Sequence, residues 1–186
     1  MVRPVCRAVM ALAVLMVAMP AQAGGPTDRL KQYTETVQQS PPGASGSSNA
    51  SSIFAVDEMA ERVLGRHWPD RTAMERAEFT PLFGKLLDRV YLSQIGRYKG
   101  DRLRYTDEVI DGARATVRAQ VRAKPGEELP ITMTMKIRGD DWLIDDILVA
   151  GSSILDTYRV QFDHIIRTSS YDELVKRLKD SRRSEN

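Results

Sequence analysis

Cysteine is almost missing from this chain. Cys6 is the only one in 186 residues. Without a second thiol no internal disulfide forms, and Cys-based metal sites and dithiol chemistry are excluded. Histidine is scarce as well, with His67 and His164 the only two. The sequence contains no Gly-rich phosphate loop, no Gly-x-Ser-x-Gly elbow and no His-Glu-x-x-His pair. The unbroken apolar run at residues 8–19 is too short for a bilayer span, which takes roughly 20 residues.

That run has a different reading. Arg3 and Arg7 precede it, Pro20 ends it, and Ala21-Gln22-Ala23 is a small-x-small pattern. Together these predict a cleaved export signal over residues 1–23, with the mature protein starting near Gly24. A retained anchor fits the small flanking residues less well. Cys6 lies inside the signal, so a lipid-anchored product is not expected. Removing Arg3 and Arg7 takes Lys+Arg from 27 to 25, against 25 Asp+Glu, so the mature chain is neutral. Nothing in that balance favours a nucleic-acid partner, which asks for a net basic face. The mature chain has no cysteine, so its stability rests on a core, and about 160 residues suffice for one domain.

Residues 24–39 could hold a short polar helix, with Leu30, Tyr33 and Val37 at helical spacing but a thin apolar face. Residues 40–52 carry no apolar side chain larger than Ala. Such composition does not order itself, so residues 40–52 read as a flexible linker and residues 24–52 as an N-terminal segment ahead of a folded domain beginning near Ile53. From there Ile53, Val56, Ala60, Val63 and Leu64 recur with helical period. Thr72 with Glu75 forms a capping box for a second helix, whose stripe runs from Phe79 through Phe83, Leu87 and Val90 to Tyr98. Pro81 interrupts it, either as a kink or as the first residue of a new helix capped by Thr80.

After Gly100 the period becomes two. Leu103 and Tyr105 open a first strand. Residues 113–123 alternate Ala or Val with Arg, Thr or Gln, and residues 131–137 alternate Ile or Met with Thr or Lys. Residues 124–127 and Gly139-Asp140 make the turns. Residues 142–149 are apolar on both faces, which predicts a central or doubly covered strand. Ser152 or Ser153 caps a helix striped by Leu155, Tyr158, Phe162, Ile165 and Ile166. Ser170 with Glu173 caps a last one through Tyr171, Leu174, Val175 and Leu178, and residues 181–186 are a polar tail. Helices, an antiparallel meander of about four strands, then helices again define an α+β domain.

No constellation argues for catalysis, and the chain is expected not to be an enzyme. The histidines have no partner pattern and read as structural or surface residues. Asp140-Asp141 belongs to a turn. Strict period two would send Asp145 and Asp146 to opposite faces, where they share no metal. One pattern stands out. The inward face of the 113–123 strand is Ala, Ala, Val, Ala, Val, Ala, although sheets packed on helices usually carry larger side chains there. Either a helix packs close, or room is kept for an apolar ligand with Met133 and Met135 as adaptable walls.

Val63-Leu64-Gly65-Arg66-His67-Trp68 closely resembles a motif of the MlaC family, the toluene-tolerance auxiliary proteins of lipid ABC transporters. The match continues through the 79–98 helix, Trp142-Leu143-Ile144-Asp145-Asp146-Ile147-Leu148-Val149-Ala150-Gly151-Ser152-Ser153 and Tyr158-Arg159-x-Gln161-Phe162, over about residues 53–180. The resemblance implies an MlaC-like lipid-binding domain over 53–180, with an NTF2-like arrangement and a lipid-sized apolar cavity. It implies a periplasmic carrier with no cofactor, whose cargo is phospholipid. The implied partners are an inner-membrane MCE-domain protein of an ABC transporter and an outer-membrane lipoprotein–porin complex, in a system associated with outer-membrane lipid asymmetry. A hopanoid is the alternative cargo. The expected chain-binding wall is Val117, Ala119 and Val121 with Ile131, Met133 and Met135, faced by Phe83, Leu87, Tyr158 and Phe162. Gly65 and Gly151 are expected to permit turns, and Trp68 to anchor a helix end. The rivals are a ligand-free interaction module and a hydrolase, for which Tyr105 and Asp146 are the only inward polar candidates.

Overall fold

The structure, a computed structural model, describes residues 24–39, 52–97, 103–124 and 126–180. The expected signal (1–23), most of the Ser/Gly-rich stretch (40–51), Tyr98, Pro125 of the expected turn and the polar tail (181–186) lie outside these residues. The described elements are α1 (Pro26–Gln39), α2 (Val56–Leu64) with a 3₁₀ turn (Gly65–His67), α3 (Ala73–Arg97), β1 (Leu103–Asp111), β2 (Arg114–Lys124), β3 (Glu127–Arg138), β4 (Asp141–Val149), β5 (Ser152–Ser153), α4 (Ile154–Thr168) and α5 (Tyr171–Asp180).

The strands form one antiparallel sheet in sequence order, β1-β2-β3-β4-β5. This is the expected meander with a two-residue fifth strand added at its edge. Period two decides which face of β2 is dry. Ala115, Val117, Ala119 and Val121 are buried, whereas Arg114, Arg118 and Arg122 are exposed. On β4, five consecutive residues from Trp142 to Asp146 are buried. The strand is not central, but its edge is covered. Phe54 bridges Ile144 in parallel, with Ala55 N donating to Ile144 O at 2.9 Å and Ile144 N to Ile53 O at 2.7 Å. Ile53 therefore belongs to this edge segment rather than to the helix its spacing suggested, and α2 starts at Val56. Ile53 and Ala55, on either side of Phe54, pair with main-chain groups of Ile144 that β4 would otherwise leave open.

The expected caps form. Thr72 N donates to Glu75 Oε2 at 2.7 Å and Glu75 N to Thr72 Oγ1 at 3.2 Å. Ser153 Oγ accepts from Asp156 N, and Ser170 Oγ from Glu173 N. One helix passes through Pro81, so Thr80 caps no new one. Pro81 and Ala77 both lie on the exposed side, where water can replace the hydrogen bond that proline removes. Between β4 and β5, Ala150 and Gly151 both take positive φ, +49° and +82°. Glycine permits the second at no steric cost, as expected, while Ala150 carries mild strain.

The main difference from expectation is at the N-terminus. Residues 24–39 were expected to hold at most a short polar helix outside a domain beginning near Ile53, yet α1 lies against α3, β1, β2 and β4. Its apolar face is thin but fully used: Pro26 and Leu30 are completely buried and Tyr33 nearly so. Glu108 of β1 holds its first turn, accepting from Thr27 N at 2.7 Å. Side chains from every helix meet the dry face of the sheet in one cluster that includes Leu30, Phe79, Phe83, Val117, Met135, Phe162 and Leu174. Leu30→Ala should thus lower unfolding free energy by about 2–5 kcal/mol in urea titrations. A helix outside the cooperative unit would leave it unchanged.

Candidate functional site

The dry face of the sheet is set by register. β2 and β3 place Ala115 opposite Met135, Val117 opposite Met133, Ala119 opposite Ile131 and Val121 opposite Leu129. Small residues on β2 thus alternate with unbranched or larger ones on β3. The face opposite is aromatic. Phe79 and Phe83 of α3 stack at 5.9 Å, and Phe162 of α4 meets both edge-on at 6.0 and 6.3 Å. Tyr158 tilts against Phe162 at 5.6 Å, and Tyr171 of α5 lies 6.4 Å from Phe79. Such offset and T-shaped pairs are the favoured ring geometries.

Nine of the ten residues expected to form the wall converge here. Val117, Ala119, Met133, Met135, Phe83, Leu87 and Phe162 belong to the central cluster, and Ile131 and Tyr158 pack against it half-buried. Val121 is buried farther along the same face. The rings of α3 and α4 touch one another, so in this structure the wall is closed by its own side chains. Two surface grooves, of about 490 and 300 Å³, lie among α2, α3 and α4 and include none of the ten.

The sequence reading missed several participants. Phe79 meets Phe83, Phe162 and Tyr171 in the aromatic cluster, and Tyr33 and Thr34 of α1 and Asp88 of α3 bring polar atoms into the buried region. Tyr33 Oη donates to Asp88 Oδ1 at 3.4 Å. The Leu30–Tyr33–Val37 spacing was the only signal for α1, and its short face understated how completely it is covered.

Tyrosine electrostatics follow burial. Burial pushes the Tyr158 phenol up, partly offset by the nearby Arg89 guanidinium. Tyr171 is pushed up to about 12, first by burial and then by Glu75, while its hydroxyl donates to the Glu75 carbonyl at 3.0 Å. Arg71 lies over its ring at 4.6 Å. Both phenols stay protonated, and that of Tyr171 serves as a hydrogen-bond donor.

The remaining candidates are structural. A bulge at Asp145 breaks the expected alternation, so the opposite-face argument fails as stated. Partners separate the two carboxylates instead. Asp145 pairs with Thr134 Oγ1, Arg62 and Arg114. Asp146 accepts from Ile147 N at 2.8 Å, Ser153 Oγ at 2.7 Å and Leu155 N at 3.3 Å, clamping the end of β4 to the start of α4. With its oxygens so engaged, Asp146 is poorly placed to be a general base. Among the described residues no group of three or more His, Asp or Glu is placed to hold a metal.

The Gly-Arg-His-Trp segment is a junction. Gly65 takes φ +50° where α2 turns into the 3₁₀ helix. His67 Nε2 lies 2.8 Å from Asp163 Oδ1 on α4, and Arg66 pairs with the same carboxylate. His67 is thus a satisfied structural histidine, and His164 is exposed. Trp68 stacks under Arg76 at 4.9 Å, and Arg76 Nη2 also donates to the Trp68 carbonyl.

Fold and site together define an α+β domain with an aromatic, apolar interior beneath a meander sheet. The chain belongs to the MlaC protein family, whose model matches residues 29–180. That match begins inside α1, consistent with the packed helix. The chain is similar in fold to a phospholipid-binding protein from Ralstonia solanacearum, solved in complex with a phospholipid. Identity is 20%, the TM-score 0.64, and the likeness covers 83% of this chain and 92% of that one. No curated protein matches. Among the described residues no helix is long and apolar enough to cross a membrane.

His67 and Arg66 hold the Asp163 carboxyl below the usual carboxylate range, His67 contributing most. A depressed folded-state pKa adds stability above the unfolded carboxylate value, which is lost as pH falls through the folded one. Asp163→Asn should therefore melt lower than the parent at neutral pH. The gap should close as the solution is acidified through the carboxylate range, a course followed by thermal melts at stepped pH.

Proposed function

We propose that this protein is a periplasmic carrier that holds a phospholipid by its acyl chains between the sheet and helices α3 and α4. The carrying observation is the small inward face of β2 under an aromatic and methionine lining. Membership of the MlaC family supports the reading, as does a similar fold that holds a phospholipid in another protein. The export signal expected at residues 1–23 supports the compartment.

The energetics define the task. Two acyl chains carry about 30 methylenes at about 0.8 kcal/mol each, so exposing them to water costs on the order of 20 kcal/mol. A carrier must shield nearly all of that area. A membrane shields it equally well, so loading and release are nearly balanced, and an ATP-driven partner sets direction. No catalytic group is required. We assign the donor and acceptor to an outer-membrane lipoprotein–porin complex and an inner-membrane MCE-domain protein of an ABC transporter, with outer-membrane lipid asymmetry as the outcome. The direction of flow is left to those partners.

Loading requires the touching rings of Phe79, Phe83 and Phe162 to part. α3 is suited to yield, because it combines Pro81, which lacks its ladder hydrogen bond, with the buried Gly84 one turn on. Met133 and Met135 can repack around chains of different length. A ligand-free interaction module is the second reading, and the full burial of Val117 and Phe83 favours it, since both serve equally as plain core.

Tryptophan at the wall separates the two. Val117→Trp and Ala119→Trp would fill the chain-binding space. If either variant folds cooperatively, it should carry less than about a tenth of the lipid bound by the parent, measured by phosphorus assay on purified protein. A folded tryptophan variant with normal lipid would displace the site from β2.

A further inference from the structure

The helices that cover the dry face of the sheet do so through two kinds of interface. Across α3, α4 and α5 the contacts are rings and aliphatic chains, centred on Phe79, Phe83, Phe162 and Leu174. Across α1 they are mixed. Pro26 and Leu30 are fully buried, but the buried Tyr33 and Thr34 beside them carry hydroxyls. Tyr33 Oη donates to Asp88 Oδ1 of α3, and Thr34 lies beside the Tyr105 phenol of β1.

The two kinds do not open at equal cost. Parting the rings in water exposes apolar area with nothing regained. Parting α1 exposes little more than Pro26, Leu30, the Tyr33 ring and the half-buried Val37, while water takes over the polar ends. The ties at the start of α1 are polar as well. Glu108 of β1 accepts from Thr27 N, and Arg29 donates to the Ser52 carbonyl. Arg29 also reaches Asp141 at 3.6 Å, with the Asp141 side chain 66% exposed. Exposed ion pairs of this kind add little and are screened by salt.

α1 is also in the right place. It packs on β1 and β2. Tyr105, beside Thr34, stands opposite Ala119 in the β1–β2 ladder, and antiparallel partners share a face. α1 therefore lies over the Ala119 end of the proposed wall.

We propose that α1 is a lid on the lipid-binding interior: it lifts from the β1–β2 margin to admit acyl chains and closes once they are seated. This rests on the carrier reading above and adds to it the place where the interior opens. With α1 lifted, the first methylenes take the place of Leu30 against the dry face. The rings of α3 and α4 then part around chains already out of water.

The test is a removable link across the start of the lid. A methyl group at Gly25 would lie 3.2 Å from Glu108 Oε1, so the two positions are close enough for a short bridge. The chain from Gly24 onward has no cysteine. Gly25→Cys and Glu108→Cys, joined by ethane-1,2-diyl bismethanethiosulfonate, make one defined link that a reductant removes. Uptake of a fluorescent-tailed phosphatidylglycerol from dioleoyl phosphatidylglycerol vesicles should be about tenfold slower for the linked, delipidated protein, and reduction should restore it. In hydrogen exchange of delipidated wild type, α1 amides should exchange about tenfold faster than those of α4. If the cysteine pair does not fold, Glu108→Gln carries the test: without that carboxylate at the start of α1, uptake should quicken about threefold. Equal uptake before and after reduction, an unquickened Glu108→Gln variant, or α1 amides as protected as those of α4 would overturn the lid while leaving the carrier reading intact. No uptake by wild type would overturn both.

Discussion

The structure depends on how the dry face of β2 is covered. Ala115, Val117, Ala119 and Val121 project little, so the helices opposite cannot close the gap with aliphatic side chains of ordinary length. Aromatic rings do it instead. Phe79, Phe83 and Phe162 form a packed unit between α3 and α4, and methionines from β3 fill the adjoining space. Other features brace this arrangement. Asp146 fixes where α4 leaves the sheet, Asp163 ties α4 to the turn after α2, and Tyr171 fastens α5 to α3. The polar side chains thus hold the frame, and the apolar ones determine what the interior can accept.

The division of labour suits a carrier. Rings and thioethers meet through many weak contacts and can exchange one partner for another of similar polarity. An acyl chain can replace those contacts without leaving polar atoms stranded. The ion pairs and caps at the periphery need not change when the interior does. A fold stabilised at its rim and adaptable at its centre can admit a guest without unfolding.

Much of this was legible in the sequence because it rests on short-range periodicity. The alternation in β2 and β3 fixed both strands and their wet and dry faces, and the capping pairs Thr72–Glu75 and Ser170–Glu173 marked where α3 and α5 begin. Family motifs added the order of elements and a set of ten candidate wall residues, nine of which meet in the central cluster. What was not legible depends on contacts distant in sequence. Leu30 and Tyr33 offered a narrow stripe that looked too thin to pack, and only the meeting of α3 and the sheet around it makes α1 part of the core. Ile53 had helical spacing, but the open edge of β4 recruited it. The bulge at Asp145 broke an alternation that neighbouring residues gave no sign of breaking. His67 found its partner 96 residues away in Asp163, beyond the reach of any local pattern.

The central claim is that the interior is built to hold lipid. The most direct measurement is mass spectrometry of organic extracts from the protein purified without detergent from a bacterial periplasm. The account predicts a diacyl phospholipid in stoichiometric amount. Well-folded protein that yields no lipid would contradict it, and would make the small face of β2 a feature of tight packing alone.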